Sequence, residues 1–190
     1  MRIRRFLVAA TLLFFAGYPL FPATKVSHAA SPEDDPAVPA ILDRAESLFQ
    51  SMKSRDYPAI FAALSAKSRE TIVAETSSAL ATAAKQAPPA KATTADTPSA
   101  PAKTSPPDTE ALRRDFVAGG PTARDYWDAF LRRFDPDIAL EHSRWEIGSV
   151  GKDHAEILLT HHGADHPATL KMFLEDGAWK VGLAETFWSR

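Results

Sequence analysis

Apolar residues in this chain recur at steps of three and four as far as residue 134 and tend to alternate from residue 143 onward. That change of period constrains the fold more than any other feature. The first pattern is helical. Val38, Ile41, Leu42, Ala45, Leu48, Phe49 and Met52 fall on one stripe of a first helix. Tyr57, Ile60, Phe61 and Leu64 mark a second, with Asp56 placed to cap it and Pro58 in its first turn. Ser68 is placed to cap a third that carries Ile72, Val73 and Leu80. Asp108 then caps a helix bearing Leu112 and Phe116, which Gly119 and Gly120 end. Pro121 opens an amphipathic helix through Tyr126, Trp127, Phe130, Leu131 and Phe134, stopped by Asp135 and Pro136.

Beyond that point, runs of strand length at 143–150, 155–162, 168–175 and 178–185 are separated by Gly151-Lys152-Asp153, Gly163-Ala164-Asp165 and Asp176-Gly177. Asp-Gly between alternating runs is a strong hairpin signal, so four antiparallel strands joined by short turns are expected. Helices first and strands last define an α+β class, in which N-terminal helices pack on a curved antiparallel four-stranded sheet.

Residues 81–107 interrupt this plan. They are almost wholly Ala, Pro, Thr, Ser and Lys, hold six of the fifteen prolines, and contain no large apolar side chain. Such a stretch buries too little surface to offset its ordering entropy, and it reads as a disordered, partly polyproline-extended low-complexity insert. The helices before it need an apolar partner and the sheet after it needs a cover. Residues 37–190 are therefore read as a single domain with 81–107 as an excursion, since closing a longer loop adds little entropic cost.

The first residues give an address. Arg2, Arg4 and Arg5 precede an uncharged apolar run at 6–21, and Ser27 and Ala29 are the small residues required before a signal-peptidase cut. Residues 1–29 are read as a signal peptide and 30–36 as a flexible leader, which predicts a periplasmic or secreted protein. Membrane attachment is expected only if the signal stays uncleaved; Pro19 and Pro22 break a run barely long enough for about 30 Å of hydrocarbon. Cleavage would leave 18 basic groups against 24 acidic ones, or −6, a balance that argues against nucleic acid as a partner. With no cysteine, disulfides and thiolate chemistry are excluded.

Two segments carry a family likeness. SLFQSMKSRDYPAIFAALS at 47–65 resembles the first two helices of small exported proteins of the NTF2-like superfamily, and LKMFLEDGAWKVGLAETFW at 170–188 resembles their last hairpin. The resemblance implies an NTF2-like cone in which helices close over a concave sheet. The superfamily contains enzymes, ligand binders and scaffold modules. Its enzymes place an Asp, a Tyr and sometimes a His inside the cone, and no such set maps onto this chain residue by residue.

Among candidate site residues, Trp127, Phe130 and Trp145 are expected to line an apolar pocket. His161, His162, Asp165 and His166 lack zinc spacing and read as a solvated turn. Asp137, Glu141 and His142 read as a helix stop followed by a strand start, and Lys67, Arg69, Arg113, Arg114, Arg132 and Arg133 as solvated surface. No phosphate loop, nucleophile elbow or metalloprotease helix occurs. The expectation is an exported, non-catalytic NTF2-like binding or interaction module without cofactor, homodimeric or bound to a partner protein, an envelope component or a small apolar ligand. The alternative is a small cofactor-free isomerase, dehydratase or cyclase acting in the cone.

Overall fold

The computed structural model describes residues 33, 35–86 and 108–188. The signal peptide, part of the leader and residues 87–107 of the insert lie outside the described residues. Helix α1 (Val38–Ser54) buries Val38, Ile41, Ala45, Leu48, Phe49 and Met52, the expected stripe. Helix α2 (Tyr57–Ala63) starts where the Asp56 carboxylate accepts the Ala59 N–H at 3.1 Å.

Helix α3 (Ala66–Gln86) departs from expectation at both ends. Ser65, not Ser68, is the cap, its hydroxyl accepting the Ser68 N–H at 3.0 Å. Ser68 is inside the first turn, buried, and donates its hydroxyl to Glu185 at 2.6 Å. At the other end the helix runs six residues into the Ala-rich stretch, because residues 81–86 include three alanines and the first proline comes at Pro88.

Helix α4 (Thr109–Ala118) is capped by Asp108, which accepts the Glu110 N–H at 3.0 Å, and ends at Gly119 with φ 62°. Gly119 is fixed by space as well as by φ: a Cβ there would lie 2.7 Å from Pro58 Cδ of α2. Helix α5 (Pro121–Leu131) ends earlier than predicted, leaving Phe134 in the following turn. The Asp135-Pro136 pair starts a further helix, α6 (Pro136–Leu140), with the Asp135 carboxylate accepting the Asp137 N–H at 3.0 Å. Asp-Pro supplies a cap and a preset first-turn φ, so it opens a helix as readily as it closes one.

Strands β1 (Ser143–Val150), β2 (His154–His161), β3 (Ala168–Glu175) and β4 (Ala178–Gly182) form one antiparallel sheet in the order β1-β2-β3-β4. A bulge between Ile147 and Ser149 breaks the β1–β2 register, the kind of irregularity that bends a strand. The β3–β4 hairpin turns on Asp176 (φ 50°) and Gly177 (φ 76°), both left-handed as a two-residue hairpin requires.

The last strand is shorter than the predicted 178–185. It stops at Gly182, and Leu183–Phe187 form helix α7. Two contacts redirect the chain there: the Thr186 hydroxyl accepts the Lys171 N–H at 3.0 Å, and the Ala184 N–H donates to Ser68 Oγ at 2.9 Å. Tertiary partners, available only after α3 has docked, outweigh the strand pattern.

Register places Trp145, Ile147, Ile157, Leu159, Leu170, Met172, Trp179 and Val181 on one face of the sheet. That face joins α1, α2, α4 and α5 in one core. Helix α1 packs on β4 and α6, α2 on α4 and α5, and α3 on α4 and α7. Segments before and after residues 87–107 thus share a single core. A proteolytic nick at Lys91 or Lys103 should leave two fragments that co-elute under native conditions and separate only in denaturant; independent elution would show two units. Ser68→Ala should lower unfolding free energy by about 1.5–3 kcal/mol in urea titration, the usual worth of a hydrogen bond to a charged group. A loss below about 0.5 kcal/mol, the scale of an ordinary surface substitution, would mean the Ser68–Glu185 contact does not anchor α7.

Candidate functional site

A run of aromatic rings links the helices to the sheet. Phe61 stacks on Phe116 with centroids 5.2 Å apart, and Phe116 meets Tyr126 edge-on at 5.5 Å. Tyr126 contacts Trp127 at 5.1 Å, Trp127 contacts Phe130 at 5.7 Å, and Phe130 contacts Phe134 at 5.5 Å. Phe134 then branches, to Phe49 at 5.9 Å and to Phe187 of α7 at 6.5 Å, and Phe49 reaches Trp145 of β1 at 5.7 Å. Edge-on and offset contacts of this kind add about 0.5–1.5 kcal/mol each beyond area burial.

The exposed end of this run forms a groove of about 550 Å³ between α5, the turn after it, and α7. Tyr126, Ala129, Phe130, Phe134, Phe187 and Trp188 supply its walls, and Arg132 and Arg133 also line it. Phe187 is 51 % and Trp188 36 % exposed, so two neighbouring aromatics at the end of α7 stand open to solvent. Their position follows from the Ser68–Glu185 anchor: Glu185 is the only buried carboxylate among the described residues, and it accepts hydroxyl hydrogens from Ser65 at 2.8 Å and Ser68 at 2.6 Å.

The three pocket residues expected from sequence are placed apart. Phe130 lines the groove. Trp127 is wholly buried in the core, its indole N–H without an acceptor among the described residues. Trp145 donates its indole N–H to the Ala139 carbonyl at 2.7 Å and lines a separate hollow of about 270 Å³ with Leu42, Glu46 and Leu140. Sequence reasoning passed over Phe134 and the two arginines. The available signal was Arg132-Arg133 set between Phe130-Leu131 and Phe134, which places cations beside aromatics at a helix end.

Other polar groups hold the frame. Lys53 bridges Asp137 and Glu141, both at 2.7 Å, which pushes its ammonium pKa up. Asp128 accepts from the Tyr57 hydroxyl at 2.7 Å and from Arg55 at 2.8 Å. Lys180 donates to the Ala62 carbonyl at the end of α2 at 2.8 Å, while burial and then the nearby Arg44 and Arg69 lower its pKa. His161 Nδ1 lies 3.1 Å from the His142 carbonyl, and both histidines are exposed. Among the described residues, no group of three or more His, Asp or Glu side chains is placed to hold a metal ion. No described helix is long and apolar enough to cross a membrane.

Comparison with protein-family models, with curated proteins and with solved structures returned no match to this chain. The fold therefore defines its class, α+β with helices over a four-stranded antiparallel sheet.

Tyr126, on the groove wall, has its phenol pKa raised, chiefly by burial and then by the charge of Glu75. In the unfolded chain a phenol ionises near pH 10, before the folded one does. The stabilising contribution is therefore complete below about pH 10 and is lost as pH rises beyond it. The melting temperature should fall above that pH, and Tyr126→Phe should flatten the fall. An unchanged slope in the variant would show that Tyr126 ionises freely in the folded protein.

Proposed function

We propose that this chain is an exported, non-catalytic binding module of NTF2-like architecture, whose groove between α5 and α7 receives a small apolar ligand. One observation carries the reading: Phe187 and Trp188 remain open to solvent beside Phe130 and Phe134, in a groove of about 550 Å³. That volume lies within the usual range for small-ligand sites of about 300–1,000 Å³. Exposed aromatics grouped in a concavity lose water-contacting area only when something fills it.

The architecture supports the same reading. Bulky apolar side chains occupy the helix-facing side of the sheet, and the one buried carboxylate among the described residues, Glu185, is engaged at the start of α3. The order of helices and strands and the bulged β1 are consistent with an NTF2-like cone. The basic, apolar and small-residue series at 1–29 supports export to the periplasm or medium.

Titration with N-phenyl-1-naphthylamine, an uncharged apolar fluorophore, tests the proposal. Saturable one-site binding is expected, weakened at least tenfold in a Phe130→Ala, Phe187→Ala double variant, since each lost aromatic removes about 1.5–3 kcal/mol of burial. Absence of saturable binding, or equal affinity in the folded double variant, would overturn it.

A further inference from the structure

We infer that the ligand is an amphipathic anion: a single apolar chain or ring system carrying one carboxylate, sulfonate, sulfate or phosphate head. The inference rests on the groove being a binding site and adds the charge of what it binds.

The groove does not end at its aromatics. Arg132, Arg133 and Phe134 line it and also line an adjoining polar hollow of about 480 Å³, so the two cations stand where an apolar trough opens into a wet one. Lys53, Arg55, Asp135 and Asp137 line the same hollow but are already engaged, Lys53 with Asp137 and Glu141 at 2.7 Å, Arg55 with Asp128 at 2.8 Å, and Asp135 with the Asp137 N–H at 3.0 Å. Arg132 and Arg133 make no ion pair with any described residue.

The end of α5 explains how two adjacent like charges are tolerated. Arg132 is its C-cap, where the helix presents partial negative charge, and the Arg132 N–H donates to the Asp128 carbonyl at 3.2 Å. That local effect accounts for cations at the helix end. It does not require them to border an aromatic groove, and the groove is the second, independent observation. A guanidinium offers a planar pair of donors that matches a carboxylate or phosphate, and its weak hydration makes contact beside aromatic rings inexpensive.

The charge of the whole chain selects the source of the anion. The exported form, without residues 1–29, holds 18 basic against 24 acidic groups, or −6, so an extended anionic bilayer is repelled overall while a single anionic head is attracted locally by Arg132 and Arg133. The occupant is thus a free, monomeric amphiphile and not a membrane surface.

A matched pair of fluorophores separates charge from apolar contact. 1-Anilinonaphthalene-8-sulfonate shares its ring system with N-phenyl-1-naphthylamine and adds the anionic head. The purified protein should bind the sulfonate about tenfold more tightly at low salt, the scale of one charge-assisted contact. An Arg132→Gln, Arg133→Gln variant should bring the two affinities within about twofold of each other, whatever small change the neutral probe shows, and these exposed positions should leave the melting temperature unchanged. Equal affinities in the parent protein, or a gap that survives the double variant, would overturn the anionic head and leave the apolar groove standing. Failure of both probes would overturn the groove itself. Retention on phosphatidylglycerol vesicles without binding of the free sulfonate would overturn the monomeric amphiphile.

Discussion

The continuous apolar face of the sheet is the constraint on which the rest of the molecule depends. Trp145, Ile147, Ile157, Leu159, Leu170, Met172, Trp179 and Val181 lie side by side across four strands, and left exposed they would form an extended patch of the kind soluble chains avoid. Their cover comes from helices on both sides of residues 87–107: α1 from the N-terminal side, α6 from the C-terminal side, with α2 and α5 joining them in one core. Neither helical group closes the core alone. The chain therefore tolerates a long low-complexity stretch in its middle, because the apolar surfaces that need each other lie at its two ends.

Polar contacts decide how the ends of that core are finished. At the α2–α3 junction, Leu64 bridges to Val181 and the Ser65 N–H donates to the Val181 carbonyl at 2.9 Å, which ties the free edge of β4 to the helices. A few residues on, the Glu175 carboxylate accepts the Ala66 N–H while Glu185 accepts the Ser65 and Ser68 hydroxyls, so two carboxylates meet the start of α3. A helix N-terminus favours negative charge, and the buried Glu185 is offset there by hydroxyl donors. This arrangement turns the chain from strand into α7, and α7 in turn carries Phe187 and Trp188 to the mouth of the groove. The groove is thus a consequence of how the sheet edge is closed.

Several local signals in the sequence were accurate. The stripe on α1, the capping carboxylates Asp56 and Asp108, the helix end at Gly119 and the Asp176-Gly177 hairpin all depend on neighbours within a few residues, and each was legible. The misplaced boundaries have two kinds of cause. Asp135-Pro136 is compatible with a helix stop and with a helix start; it reads as a stop in the sequence, and the structure makes it also the start of α6. The exchange of Ser68 for Ser65 as cap, and of strand for helix at Leu183–Phe187, followed from the contact between α3 and α7, whose partners are far apart in the chain.

By itself the sequence determined the class of the fold, the succession of five helices and four antiparallel strands, and the Asp176-Gly177 turn, because period, capping and turn geometry are set over short stretches; α6 and α7 lay outside that reading. Only the tertiary structure decided which aromatics share a concavity. Trp127, Phe130 and Trp145 have the same chemistry in the sequence, yet one is sealed in the core, one lines the groove and one lines another hollow, according to the face its element turns toward its neighbours. The same holds for Arg132 and Arg133, which in sequence are two surface charges at a helix end. They come to border the aromatic groove because α7, folded back against α3, brings the Phe187 ring to 6.5 Å from that of Phe134.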